Sequence, residues 1–393
     1  MDNLLHIYFI ECYDSNITGV KTYEEQIINI LSSRNDVVFT IIIDGYPIDH
    51  PFQEIVNGIK FIYYPLVRHN KTEVISAFLL ETISLSDNMI FWVNYFPGSF
   101  MAKAVKISFP KSVLIQVVHD IPWLAICKGN PELYASYIND HSSVKSNAMV
   151  KNINYITIDM LVTFRMASYI ITLCQDAFNL ITNIYNIPEK KVKLIPNGLC
   201  DTYNKLDKKE ILRYRKYLNL PIEKKIIVST GRLSISKGTD RIIQLMLELY
   251  NQNLLSQWHL LHIGSDDVRS WFPAKLFPYV THLGPFPQKK VIRLLSISDV
   301  GIIASRHEQC SYSGIEMLMC NLPILYCSNT FGVENMFQEV GIKSELWISF
   351  LKEVLVSCNQ DSRYRKKFLQ SYAFHVMKFQ YDNLLDTIKR DLL

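Results

Sequence analysis

Two glutamates in the C-terminal half of the chain, Glu308 and Glu316, could act together on one ligand. They lie eight residues apart, on either side of Ser311, where the spacing of apolar residues becomes helical. At a rise of about 1.5 Å per residue, their carboxylates would flank a helix N-terminus at about 10 Å from each other. Backbone N–H groups at such a terminus favour an anion, and carboxylates suit hydroxyl groups. A diphosphate between two sugars, as in a nucleotide-sugar, fits this arrangement, and a coincidence of two surface acids is the alternative.

A second charged pair, Arg232 and Lys237, follows the apolar strand pattern of residues 225–230. Their loop has Gly231 and Gly238 at its ends and leads into a predicted helix. Because Arg binds phosphate through a planar fork and Lys acts as a point charge, the loop could hold both phosphates of a diphosphate. A solvated loop is the alternative. The chain contains no Asp-x-Asp sequence, the usual carboxylate pair for Mg²⁺ or Mn²⁺ at a diphosphate, so we expect no metal.

Two further candidates lie in the N-terminal half. His119 directly follows the strand pattern of residues 113–118, and parallel sheets bind ligands at the carboxyl ends of their strands. Gly19 lies in a predicted loop between the first strand and a helix that begins near Lys21, where a glycine lets backbone N–H groups approach a ligand. A structural histidine and an ordinary loop glycine are the alternatives, since no G-x-G-x-x-G sequence is present.

The elements that must position these residues alternate between strand and helix along both halves of the chain, which predicts an α/β fold with doubly wound, mostly parallel sheets. Strands are predicted at residues 5–10, 37–43, 59–63, 89–93, 113–118, 166–174, 225–230, 258–263, 280–283, 299–304 and 324–326. Helices are predicted at 73–85, 99–107, 175–185, 207–218 and 289–296. Residues 121–157 show less pattern, and we expect one helix with loops there. The predicted domains are 1–198 and 199–370, and a last helix over about 363–389 places residues 371–393 back on the first domain.

The composition sets the broad class of protein. With 393 residues, 49% of them hydrophobic and 20% charged, the chain is long enough for two folded domains. Its net charge of +4 is far below that of a typical nucleic-acid binder, so we expect no nucleic-acid partner. The eight cysteines are scattered without a C-x-x-C sequence, which favours reduced thiols over a zinc site or disulfides. We expect a cytoplasmic protein without signal peptide or membrane span, and peripheral contact of the basic helix 207–218 with the inner face of a membrane stays open.

Five short sequences, ordered along residues 195–323, resemble those of the retaining GT-B glycosyltransferases of family 4, the glycosyl transferases group 1. They are Ile195-Pro-Asn-Gly198, Gly231-Arg-Leu-x3-Lys-Gly238, His262-Ile-Gly264, Leu283-Gly-Pro with Asp299-Val, and Ser305-x2-Glu308-x7-Glu316-x6-Pro323. The N-terminal half is similar through Thr18-Gly19-Val20 and His119-Asp120. The chain departs from the family at Gln309-Cys310-Ser311, where Pro-Phe-Gly is frequent, and at Gly19, where two glycines are usual.

The resemblance implies two Rossmann-like domains that face a cleft, an N-terminal one for the acceptor and a C-terminal one for the donor. It implies transfer of a sugar from a nucleotide-diphosphate sugar, UDP- or GDP-linked, to an acceptor hydroxyl, with retention and without a metal. Arg232 and Lys237 would hold the diphosphate and stabilise the leaving group. Glu308 would contact hydroxyls of the transferred sugar where charge develops, without acting as a nucleophile. His119 would lie beside that sugar and the acceptor.

The resemblance also implies the remaining substrate contacts. Glu316 would bind the ribose hydroxyls, backbone N–H groups of Ser311 and Tyr312 would complete the anion site, and Gly19 would line the cleft near the phosphates. The acceptor stays open between lipid-linked glycan, cell-envelope saccharide, small molecule and peptide, and the composition hints at bacterial glycan or glycoconjugate synthesis. A GT-B nucleotide-sugar epimerase or hydrolase, and a catalytically silent GT-B binding subunit, are the alternatives.

Overall fold

The computed structural model describes residues 4–13, 18–139, 148–199, 206–327, 330–344 and 362–392. The chain divides into two compact units. The N-terminal unit lies within Met1–Ile126, Pro131–Asn197 and Met377–Leu393, and the C-terminal unit within Cys127–Asn130 and Gly198–Val376. None of the helices in the described ranges is both long enough and apolar enough to cross a membrane.

The N-terminal unit contains an eight-stranded sheet in the order β3-β4-β2-β1-β5-β6-β7-β8. The strands are β1 (Leu5–Cys12), β2 (Val37–Tyr46), β3 (Phe52–Val56), β4 (Ile59–Pro65), β5 (Met89–Val93), β6 (Val113–Val118), β7 (Tyr169–Thr172) and β8 (Val192–Leu194). The helices are α1 (Thr18–Ser32), α2 (Lys71–Thr82), α3 (Ser99–Ser108), α4 (Pro122–Ile126), α5 (Pro131–Asn139), α6 (Ala148–Met166) and α7 (Gln175–Asn179). Apart from β3, which pairs antiparallel with β4, the neighbouring strands are parallel, and the order of the chain reverses between β1 and β5.

The C-terminal unit contains a six-stranded parallel sheet in the order β11-β10-β9-β12-β13-β14. The strands are β9 (Lys225–Thr230), β10 (Trp258–Ile263), β11 (Val280–Leu283), β12 (Val300–Ile303), β13 (Ile324–Cys327) and β14 (Ile342–Ser344). The helices are α8 (Lys208–Tyr217), α9 (Thr239–Asn251), α10 (Gln288–Ser296), α11 (Tyr312–Met319), α12 (Glu334–Phe337) and α13 (Ser362–Ser371), and a last helix, α14 (Phe374–Leu392), follows. This strand order is that of the Rossmann fold, with its reversal between β9 and β12.

The buried apolar runs predicted as strands are strands, because a parallel sheet covered on both faces needs continuous apolar sequence. All five residues of β5 and all four residues of β12 are buried. The prediction of doubly wound, mostly parallel sheets is therefore confirmed for each unit by itself.

Strand β14 was missed, and so was β3, whose five residues are all exposed. It forms a hairpin with β4 through Asn57 and Gly58, which have φ angles of 53° and 81°. Asn-Gly is the sequence that a two-residue hairpin turn with positive φ favours, so the turn carried a signal that the strand itself did not.

The structure differs in three details from the prediction for residues 121–185. Three helices, α4 to α6, occupy the described part of the region where one was expected, and the polar run 141–147 lies outside the described residues. Helix α6 continues to Met166, so the strand predicted at 166–174 is shortened to β7. The helix predicted at 175–185 changes after α7 into a π-helical segment, Leu180–Ile184.

The helix predicted over 363–389 is two helices, interrupted at Tyr372 and Ala373. The backbone N–H of Leu199 donates to the carbonyl of Tyr372 at 2.8 Å, and the N–H of Phe374 donates to the carbonyl of Leu199 at 2.9 Å. These backbone groups are therefore paired with another segment and cannot continue one helical ladder.

Helix α14 packs within the N-terminal unit. Tyr381 is fully buried, and its hydroxyl lies 2.6 Å from the hydroxyl of Tyr23. Arg34 pairs with Asp386 at 2.7 Å, and Lys389 pairs with Asp36 at 2.8 Å. These ion pairs and the buried tyrosine pair fix the last helix to α1 and to the turn between α1 and β2.

Candidate functional site

The candidate residues of the C-terminal unit lie beyond the carboxyl ends of β9 and β12, the neighbouring strands between which the strand order reverses. Residues 231–238 connect β9 to α9, and residues 304–311 connect β12 to α11. In open α/β sheets, the crevice outside this reversal is where ligands bind. The topology thus brings both charged pairs found in the sequence to one place.

The two loops are in direct backbone contact. Gly238 has a φ of +70°, and a Cβ at this position would lie 1.9 Å from the carbonyl oxygen of Ala304. The N–H of Arg306 donates to the carbonyl of Ser236 at 2.9 Å. The Arg306 guanidinium also forms two hydrogen bonds with the carboxylate of Asp240, at 2.7 and 2.8 Å. Only glycine at 238 permits this approach, and the bidentate pair holds it.

Lys237 and Glu308 form an ion pair where the loops meet. Lys237 Nζ lies 2.6 Å from Glu308 Oε1, and the Ser305 hydroxyl donates to the same oxygen at 2.7 Å. Burial raises the pKa of Glu308, but the charge and hydrogen bond of Lys237 and the bond from Ser305 outweigh it, so the pKa is lowered overall. Glu308 is therefore an anion at neutral pH, although its side chain is only 15% exposed.

Glu316 lies one turn inside α11, where its environment favours the protonated form. Ser311 caps the helix, with its hydroxyl accepting a hydrogen bond from the N–H of Gly314 at 3.3 Å, and Tyr312 is the first helical residue. Burial raises the pKa of Glu316 to about 7, against the lowering effect of Gln288, whose amide donates to its carboxylate at 2.8 Å. The two glutamates beside this helix N-terminus thus have pKa values shifted in opposite directions.

Arg232 differs from Lys237 in its environment. Its side chain is exposed and makes no ion pair with any residue in the described ranges. The preceding residue, Gly231, is fixed by a hydrogen bond from its N–H to the carbonyl of Ile263 at 2.9 Å. A Cβ on Gly264 would lie 2.1 Å from the carbonyl oxygen of Gly231, so this glycine allows the loop to cross β10 closely.

In the N-terminal unit, His119 directly follows β6, and its Nε2 lies 2.8 Å from Oδ1 of Asn94. Burial lowers the pKa of His119 to about 3, so the ring is neutral at physiological pH. Gly19 is not in a loop, because α1 begins at Thr18 and Gly19 belongs to its first turn. Its N–H is one of the groups that a helix N-terminus leaves without a partner inside the helix.

Sequence reasoning missed the residues that hold these candidates in place. They share positions near or just beyond strand ends, or at helix starts: Ser305, Arg306, Asp240, Gln288, Glu11 and Asn94. The signal for the last two was present, since each is a polar residue at the end of a buried apolar run. A polar side chain at such a position needs a hydrogen-bond partner.

Two solved structures that are similar to this chain show which fold it has. Sucrose-phosphate synthase from Thermosynechococcus elongatus aligns with a TM-score of 0.72 at 14% identity, over 98% of this chain and 99% of that one. Anabaena HepE in complex with UDP-glucose aligns with a TM-score of 0.66 at 15% identity, over 98% of this chain and 100% of that one. The chain therefore has the GT-B fold, as the sequence predicted.

Residues 210–345 match the model of the family Glycosyl transferases group 1, a segment that contains all the candidate residues of the C-terminal unit. An uncharacterized glycosyltransferase of Methanocaldococcus jannaschii is 26% identical over 169 residues, which cover 40% of this chain and 42% of that protein. The chain spans less than half of the length of the curated relatives it matches.

Proposed function

We propose that this protein is a retaining glycosyltransferase of family 4 type that moves a sugar from a nucleotide-diphosphate sugar to an acceptor hydroxyl in glycan or glycoconjugate synthesis. The observation that carries the proposal is the Lys237–Glu308 ion pair, beyond the strand reversal and next to the N-terminus of α11. The group 1 family match over this segment, and the UDP-glucose named for Anabaena HepE, support a nucleotide-sugar donor.

In this proposal, Lys237 and Arg232 neutralise the donor's diphosphate. The Lys237 ammonium has three N–H donors, so it can keep its bond to Glu308 and still reach a phosphate oxygen. Arg232 is exposed and free of ion pairs with described residues, so binding a phosphate breaks no existing pair. The backbone N–H groups of Ser311 and Tyr312 add the partial positive charge of a helix N-terminus. Charge that develops on the leaving diphosphate is then met by groups already in place.

The two glutamates would bind the hydroxyls on either side of the diphosphate. Glu308 is ionised and fixed by two hydrogen bonds, so it can accept a hydrogen bond from the transferred sugar. Glu316 would accept from the ribose, and ribose donors would lower its pKa from about 7. His119 and Gly19 would be the contributions of the N-terminal unit, to the sugar and to the phosphates respectively.

The reaction would break the bond between the anomeric carbon and the diphosphate oxygen, which keeps the electron pair. The acceptor oxygen would bond to the same face of that carbon and pass its proton to the leaving phosphate, so no protein nucleophile is needed. Proton magnetic resonance of the product, which reports the anomeric configuration, tests the retention. Activity measured in EDTA tests the expectation that no metal is required.

The donor site can be tested by calorimetry with UDP, GDP and ADP. We expect one nucleotide to bind selectively, and Lys237→Ala and Arg232→Ala each to weaken that binding at least tenfold. Arg213→Ala is the matched control, because Arg213 is an exposed arginine on α8, a helix that Arg215 bonds to Lys224 and Asp299 at the amino ends of the strands. Equal affinity in all four proteins would refute the site. Sugar release without an acceptor would indicate a hydrolase or epimerase, and nucleotide binding without any turnover a silent subunit.

A further inference from the structure

Three polar side chains form a chain of hydrogen bonds at the strand reversal of the N-terminal sheet. Glu11 lies near the end of β1, and Asn94 and His119 directly follow β5 and β6. The Asn94 amide Nδ2 donates to Glu11 Oε2, and Asn94 Oδ1 lies 2.8 Å from His119 Nε2. Glu11 is 2% exposed and Asn94 is fully buried. Burying a carboxyl group costs free energy unless it is hydrogen-bonded, and Asn94 supplies such a bond to Glu11.

The hydrogen bonds fix the tautomer of His119. An ionised carboxylate only accepts hydrogen bonds, so Asn94 must turn its NH₂ group to Glu11 and its carbonyl oxygen to His119. A carbonyl oxygen also only accepts, so Nε2 of His119 must carry the proton. Nδ1 then presents a lone pair, and it has no hydrogen-bond partner among the residues that the structure describes. The Tyr23 ring packs edge-on against the imidazole at 4.6 Å and restricts its plane.

We propose that Glu11 and Asn94 are positioning residues that hold His119 in the Nε2–H tautomer, so that Nδ1 accepts a hydrogen bond from a sugar hydroxyl of the substrate. The role of Nδ1 rests on the proposed function, whereas the tautomer follows from the contacts of the N-terminal unit alone. A hydroxyl that donates to Nδ1 has its oxygen made more nucleophilic, and a hydroxyl is the group that both the donor sugar and an acceptor sugar present.

We call the hydrogen bonds from Glu11 through Asn94 to His119 the relay. Donors and acceptors in the relay should exchange roles when Glu11 is protonated. Burial raises the pKa of Glu11 to about 7, against the lowering effect of the bonds from Asn94 and from the N–H of Cys12. A protonated Glu11 can donate to Asn94 Oδ1, so the amide turns and its NH₂ donates to Nε2 of His119. The proton of the ring then lies on Nδ1, which no longer accepts. The other titratable groups that face the relay are Cys12, Glu24, Asp44, Tyr95, Asp120 and Tyr23.

Glu11→Gln should reverse the tautomer at every pH. The backbone N–H of Cys12 donates to Glu11 Oε1 at 3.0 Å, so the glutamine must place its oxygen there and its NH₂ towards Asn94. Asn94 then has to present its oxygen to the glutamine and its NH₂ to His119. Nitrogen chemical shifts of histidine-labelled protein distinguish a protonated from a bare ring nitrogen, and His119→Gln identifies the signals of this ring.

Well above the pKa of Glu11, we expect Nε2–H in the wild type and Nδ1–H in Glu11→Gln. Glu24→Gln is the control, because Glu24 acts on Glu11 only through its charge and should leave the Nε2–H tautomer in place. The same tautomer in wild type and Glu11→Gln would overturn the relay. Matching near-ultraviolet circular dichroism verifies that both variants are folded.

Measurements of kcat then test whether the tautomer of His119 affects the reaction. We expect Glu11→Gln to lower kcat at least tenfold with an unchanged nucleotide affinity, and to remove the rise in kcat through about pH 7 that the relay predicts for the wild type. A reversed tautomer with unchanged kcat would overturn the role of Nδ1. A reversed tautomer in a protein without any transferase activity would leave the relay standing and refute the proposed function.

Discussion

Replacing Lys237 with methionine should reverse the sign of the pH dependence that Glu308 gives to folding. The folded-state pKa of Glu308 lies below the ordinary value of 4.5, so its stabilising contribution is present above that value and lost as the pH falls. In Lys237→Met, burial remains and the neighbouring charge is gone, so the pKa of Glu308 should rise above 4.5. The contribution is then present at low pH and lost as the pH rises through the new pKa.

The structure limits the size of this effect. Removing one partner of a fully buried ion pair costs about 3–5 kcal/mol, because the other charge is left without compensation. The Lys237 side chain is 38% exposed, and Ser305 still donates to Glu308 in the variant. Water therefore screens part of the lost charge, and we expect Lys237→Met to lower the free energy of unfolding by about 1–3 kcal/mol at neutral pH. The loss should become smaller as the pH falls towards about 4, since Glu308 is then protonated in the variant and leaves no unpaired charge.

Urea unfolding, followed by tryptophan fluorescence between about pH 4 and 8, measures both quantities. The double variant Lys237→Met with Glu308→Gln should regain most of the lost stability and show no additional pH dependence. Lys343→Met is the matched control: its pair with Glu334 has a 45% exposed lysine, so we expect a loss below about 1 kcal/mol. A difference between wild type and Lys237→Met that stays constant with pH would refute the coupling of these two side chains.

Three further perturbations test the loops and the helix beside them. Gly238→Ala should lower the free energy of unfolding by at least about 2 kcal/mol and abolish nucleotide binding. Gly284→Ala is the control, because no atom lies within 4 Å of an added Cβ there, and it should change neither quantity in the same assays. Because the pKa of Glu316 is raised from 4.5 to about 7, its contribution is lost as the pH rises through this window. Between pH 4.5 and about 7, the free energy of unfolding of the wild type should therefore fall by up to about 3 kcal/mol relative to that of Glu316→Gln, as measured by urea unfolding. Ser311→Ala should cost about 1 kcal/mol in the same measurement through the lost helix cap, and an unchanged midpoint would contradict that role.

The sequence predicted the elements best where apolar runs are short and fully buried. Strands β5 and β10 have the predicted bounds and all of their residues are buried, since a buried parallel strand leaves a continuous apolar pattern. The exposed strand β3 has no such pattern, and the break at Tyr372 depends on a backbone segment about 170 residues earlier in the chain. Local patterns contain no information on that pairing.

The same limit applies to the candidate site. The residue types and loops of Lys237 and Glu308 were predicted from sequence, but their direct contact joins residues 71 positions apart and depends on β9 and β12 being neighbours. The pairing of Glu316 with Gln288 likewise depends on how α10 packs beside α11. Spacing identified which groups could act, and only the strand order determined which of them meet.

The backbone contact between Gly238 and Ala304 also limits how this protein can be recombined with its relatives. An insertion in either loop would push its backbone into the other, and the Arg306–Asp240 pair would then be separated. Residues 231–238 and 304–311 therefore behave as a single exchangeable module despite their distance in sequence. A chimaera intended to change the donor should carry both segments from the same parent, because exchange of one alone would combine two loops whose backbones do not pack against each other.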